Sequence, residues 1–166
     1  IPFIAHFAQS AQFDELFQEG MTLVEATADY LDGEGRAAAK ALKGGISVTY
    51  ATERMRLTTR LLEVASWLVI QRALRDGEVT AEEAEAKRAR VRLRTMSRPS
   101  HIKRFDELPT GLQALISQSF SITDRLVQID RAMAQSAEGL VPAGNPVGDQ
   151  MRRLASAFGL RGTLSS

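Results

Sequence analysis

Apolar residues recur at spacings of three and four along most of the chain. Phe13, Leu16, Phe17, Gly20, Leu23, Val24, Thr27 and Leu31 predict a helix over about 10–31, which Gly33 and Gly35 stop. The Ala-rich stretch 36–42 fits a short helix ended by Gly44 and Gly45, and a longer helix is expected over 47–75, closed by an Asp76-Gly77 turn. Thr80-Ala-Glu-Glu83 has the form of a capping box, so a further helix should follow it to about Arg94. Residues 97–100, with Pro99, break that helix, and Pro109-Thr110 opens a last long one reaching about Ala137. From Glu138 the Pro- and Gly-rich stretch 139–148 reads as a linker, with at most one short amphipathic helix over 151–160 beyond it. The expected organisation is an all-α helical bundle over 1–137, with three main helices and a shorter basic one, and a flexible C-terminal tail over 138–166.

Two of these helices are informative in projection. On the helix over 47–75, Met55, Leu57, Leu61, Leu62, Val64, Ala65, Leu68, Val69, Ile70 and Ala73 cover about 240° of arc, far wider than the stripe one layer of neighbours covers. A homodimer is expected on that ground. The polar stripe consists of Glu53, Arg56, Arg60, Glu63, Trp67 and Gln71, while Arg54 and Arg72 project into the apolar arc. Trp67 on the polar side either packs beneath a neighbouring loop or stands exposed as an anchor for a partner. In the helix reaching Ala137, Asp130 falls near the centre of the apolar face, where an ionised carboxylate needs a paired cation. The expected structural partner is Arg54 if the two long helices run antiparallel and Arg72 if they run parallel.

Composition removes several classes of chemistry. There is no cysteine, which excludes disulfides and thiolate metal sites. His6 and His101 lack the neighbours of a histidine metal site, and no nucleophile elbow or triad spacing is present, so neither a catalytic residue nor a metal site is expected. Gly33-Glu-Gly35 and Gly44-Gly45 lack the strand-turn-helix setting of a phosphate loop and read as helix stops; no cofactor is expected. The most apolar run, 64–70, is far shorter than the roughly 18 residues a bilayer span needs, so a membrane role is not expected. A cytoplasmic, non-enzymatic interaction protein is the resulting expectation.

The net charge of +1 conceals a strong asymmetry. Residues 1–35 carry seven acids and no Lys or Arg, whereas 87–104 carry Lys87, Arg88, Arg90, Arg92, Arg94, Arg98, Lys103 and Arg104 with no acid. The segment is either a solvated face, a dock for an acidic protein surface, or a nucleic-acid contact. Nucleic acid ranks last, because aromatics are missing until Phe105 and the rest of the chain is net acidic. Lys87, Arg88, Arg90, Arg92 and Arg94, with Trp67, are the candidate partner-binding residues.

The string Glu53-Arg-Met-Arg-Leu-Thr-Thr-Arg-Leu-Leu-Glu-Val-Ala-Ser-Trp-Leu68, followed by Gln71-Arg-Ala73 and Asp76-Gly-Glu78, resembles the RcdA family, regulators of CtrA degradation. Gly20-Met-Thr-Leu-Val24, Tyr30-Leu-Asp-Gly33, Leu108-Pro109, Leu115-Ile-Ser-Gln-Ser119 and Asp124-Arg-Leu-Val-Gln-Ile-Asp130 extend the likeness over about 13–137. The resemblance implies a dimeric three-helix bundle that acts as a cytoplasmic adaptor for the ClpXP protease. Its implied partners are a response-regulator-type primer of that protease and cargo such as CtrA. The alternatives are a nucleic-acid-associated regulator using 87–104 and a purely structural dimer.

Overall fold

Helix boundaries follow local chemistry. The structure, a computed structural model, describes residues 10–93 and 98–140. They form α1 (Ala11–Asp32), α2 (Glu34–Ala41), α3 (Gly45–Arg75), α4 (Ala81–Arg88) and α5 (Thr110–Leu140), with 3-10 turns at Pro99–His101 and Phe105–Glu107. Ser10 caps α1 by accepting the Phe13 amide. The end of α3 is a Schellman turn: Gly77, at φ 74°, donates to Leu74 and the Glu78 N–H reaches Ala73. The Thr80–Glu83 capping box forms in both directions, at 3.2 and 2.8 Å.

The bundle is all-α, as expected. α1 lies antiparallel to α3, since the Phe13 ring sits under Arg75, the Phe17 ring under Arg72, and Gly20 opposite Val64 and Leu68. By contrast α3 and α5 run parallel: Arg60 bonds Ser119, Trp67 bonds Asp130, and Gln71 meets Met133, both series rising together. The 76–109 connection carries the chain back along the bundle, with α4 packed on α3 along the way. Leu57, Leu61, Val64 and Leu68 of α3, Phe13, Leu16 and Leu23 of α1, and Leu112, Ile116, Ile122 and Leu126 of α5 fill the centre.

Two expectations change. α4 ends at Arg88 and not near Arg94, and 91–93 is not helical. Val91 and Leu93 pack toward the core while Arg92 points out, and the Arg92 N–H donates to Glu63 Oε2 at 2.9 Å. The alternation of small or apolar residues with arginine over 89–93 is a period of two, which suits an extended segment better than a helix. The long last helix continues to Leu140, three residues past the expected end. The linker and short helix expected beyond it lie outside the described residues.

The close approach of α1 to its two neighbours rests on Gly20. A Cβ there would run into Leu68 Cδ1 and come within 3.3 Å of Ile122 Cδ1. Gly20→Val is expected to lower stability by about 2 kcal/mol through overpacking, despite the better helix propensity of valine over glycine. The check is a urea midpoint measured at constant m-value.

Candidate protein-docking surface

The rotation of α3 about its own axis decides what this molecule shows to solvent. Its polar stripe turns inward: Glu53, Trp67 and Gln71 are buried and Arg60 and Glu63 half-buried. Trp67 is 0% exposed, and its indole N–H donates to Asp130 Oδ1 at 3.0 Å. The reading of Trp67 as an exposed anchor is therefore overturned. Arg88 closes the cluster from α4, its Nε 3.8 Å from the same oxygen, with only 10% of its side chain exposed. Burial pulls the Arg88 guanidinium below its ordinary pKa; Asp130 first, then Glu85, pull the other way.

Asp130 thus has a cation, but from neither expected source. Arg72 lies over Phe17 and 3.6 Å from Asp76, while Arg54 is exposed. No cation of α3 reaches across: α3 sends its tryptophan to Asp130 and α4 supplies the charge. No spacing in the sequence places α4 over this point, because its docking depends on the path of the 76–80 turn.

The inward turn of the polar stripe leaves part of the apolar arc outside. Val48, Met55, Leu62 and Val69, each seven residues after the last, are 67, 72, 63 and 53% exposed. Exposed Ala51, Thr52, Thr58, Thr59 and Ser66 lie among them, so the stripe offers large apolar knobs separated by small residues. A seven-residue spacing of this kind keeps one seam along a helix that pairs with another.

The basic segment is less uniform than its composition. Arg88 pairs with Asp130, Arg98 with Asp124 through two contacts of 2.7 and 2.8 Å, and Arg104 with Glu107. Lys87, Arg90, Arg92 and Lys103 are exposed and enter no ion pair among the described residues. Arg94 lies outside the described residues. Of the candidate partner-binding residues, then, Lys87, Arg90 and Arg92 are on the surface and Arg88 and Trp67 are inside. Among the described residues no group of three or more His, Asp or Glu could hold a metal ion, and no helix is long and apolar enough to cross a membrane.

Known proteins agree with this architecture. The crystal structure of RcdA from Caulobacter crescentus CB15 is 45% identical and superposes with a TM-score of 0.64, covering 78% of this chain and 96% of that one. The family signature described as protein of unknown function DUF1465 matches residues 4–158. The chain belongs to the RcdA family. No curated protein matches it. The Trp67–Asp130 pair falls on two of the strings that carried the RcdA resemblance, so part of that resemblance is the interior contact between α3 and α5.

Asp130→Ala removes the acceptor of the Trp67 N–H and the counter-ion of Arg88 together, and is expected to cost about 2 kcal/mol. That is below the full value for a buried pair, because the Asp130 side chain is 43% exposed. Thermal unfolding with Asp130→Asn in parallel checks the division: the amide oxygen can still accept from Trp67, so Asn should recover part of the loss.

Proposed function

We propose that the chain is a non-enzymatic adaptor that promotes regulated proteolysis by ClpXP, acting in the cytoplasm on cell-cycle regulators such as CtrA, with a response-regulator-type primer on the protease. Membership of the RcdA family supports the adaptor class, and the resemblance that the sequence carries implies the protease and cargo. The observation that carries the docking role is the stripe of Val48, Met55, Leu62 and Val69, exposed on a helix whose opposite side is packed in the core. Four large apolar side chains in one row remain to be covered, and a second copy of the same helix is the partner whose seven-residue repeat matches. The chain is accordingly read as a homodimer through α3.

Leu62→Glu tests the dimer. Leu62 is exposed within one subunit, so the fold should be kept while light scattering at tens of micromolar shifts from dimer to monomer. A wild type that is already a sharp monomer rejects the homodimer.

The exposed cations at Lys87, Arg90 and Arg92 support a second docking area for an acidic protein surface. Lys87 faces Glu83 and the helix C-terminus at the end of α4. Reversing all three cations to Glu should keep the fold, at a cost of about 0.5 kcal/mol there. It should slow association at low salt and flatten or reverse the loss of cargo delivery with added salt, as unpaired surface charge mainly governs encounter and salt screens attraction and repulsion alike. The assay is degradation of a cargo by reconstituted ClpXP, with and without the chain, at two salt concentrations; unaltered delivery at low salt rejects the basic patch as a dock. Arg88 is left intact in this variant because it belongs to the interior pair.

A further inference from the structure

Between α3, α5 and the extended 91–93 segment lies a cavity of about 410 Å³, within the size range of pockets that take small ligands. Arg60 stands in its wall. The guanidinium carbon is 3.7 Å from the centroid of the Phe120 ring, and Nη1 donates to Ser119 Oγ at 2.8 Å. Ser119 in turn donates to the Ile116 carbonyl at 2.6 Å. A stack and a neutral hydrogen bond therefore hold this arginine in place, and among the described residues it enters no ion pair.

The neighbouring acids are already engaged. Glu53 takes Arg56 at 2.7 Å, and Glu63 accepts the backbone N–H of Arg92. Burial pulls the Arg60 guanidinium below its ordinary pKa, Glu53 opposing this and Arg56 adding to it. A half-buried cation without a counter-ion is unfavourable in the empty site, and an incoming carboxylate relieves that. Leu93 adds apolar wall beside the charge, and Arg56 and Arg92 add positive potential.

We propose that this cavity binds a peptide carboxylate that has an apolar side chain beside it, the carboxylate on the open edge of Arg60 and the apolar group against Leu93. The proposal rests on the reading of the chain as a protein-docking module and names the chemistry that one site on it would take. A nucleic-acid backbone fits less well, because Glu63 lines the cavity and Glu53 is beside it, where dense negative charge is repelled.

The test is a titration of the ¹⁵N-labelled full chain, followed by amide shifts, with acetylated tetrapeptides. Phe-Leu-Glu-Glu amide carries side-chain carboxylates, Phe-Leu-Gln-Gln acid a terminal one, and Phe-Leu-Gln-Gln amide none. Saturable shifts are expected at Thr59, Arg60, Leu93 and Thr123 with at least one carboxylate peptide, and about ten-fold weaker binding of the uncharged one; which of the two charged peptides binds identifies the source of the carboxylate. Arg60→Met keeps a chain against Phe120 and removes the fork, so affinity should fall about ten-fold. Leu93→Ala removes the apolar wall without altering a charge, and it keeps the test open should Arg60→Met fail to fold. Equal binding of the uncharged peptide, shifts clustered elsewhere, indifference to Leu93→Ala, or tighter binding of a short DNA duplex to the same amides each overturns the proposal. A chain that binds the peptide as described but delivers no cargo supports the pocket and rejects the adaptor reading, whereas delivery without peptide binding rejects the pocket alone.

Discussion

The indole of Trp67 is the largest side chain that α3 commits to the interior, and its burial sets the rotation of that helix. Once it lies against α5 with its N–H on Asp130, Gln71 one turn on and Arg60 two turns back must face α5 as well. The same rotation places Leu57, Leu61, Val64 and Leu68 toward α1 and α5 and leaves Val48, Met55, Leu62 and Val69 outside. Arg88 then brings α4 over Asp130, which orients the extended 91–93 segment that walls the Arg60 cavity. The interior polar contact and the exposed apolar row are thus two sides of one geometric choice.

That choice explains what was legible in the sequence. Local signals located the elements well: Ser10, the Thr80–Glu83 box and the Asp76-Gly77 turn act at the positions where their chemistry points, because caps and turns depend on neighbours within a few residues. The facing of α3 was not legible, since a stripe of Glu53, Arg60, Trp67 and Gln71 reads as solvent-facing unless the polar groups of α5 that will meet it are known. Ser119 and Asp130 supply those partners from 59 and 63 residues away. The excess width of the apolar arc was legible, and part of it, Met55, Leu62 and Val69, is uncovered within one chain. The family resemblance is carried by the same strings that build this interface, so it does not depend on which way α3 is read to face.

The basic segment shows how composition overstates a field. Of its cations, Arg88, Arg98 and Arg104 are drawn to Asp130, Asp124 and Glu107, acids distant from or just beyond the run itself. What remains at the surface among the described residues is Lys87, Arg90 and Arg92 at and just beyond the end of α4, with Lys103 apart from them. The acidic character of α1 is similarly reduced, because Asp14 pairs with Arg75 and Glu19 with Arg125. Complementary charges that look available for a partner are in several cases holding this bundle together.

The parallel arrangement of α3 and α5 has a kinetic consequence. Antiparallel α1 and α3 are joined by a short helical connection, so they can meet early, but the contacts that enclose Trp67 close a loop of more than sixty residues. They form last. During synthesis the chain therefore passes through a stage in which α1, α2 and α3 have emerged while the α5 side of the bundle is still absent. In that interval the hydrophobic groups on both flanks of α3 are bare, and the order in which α5 and a second molecule reach them governs whether the nascent protein matures or associates prematurely.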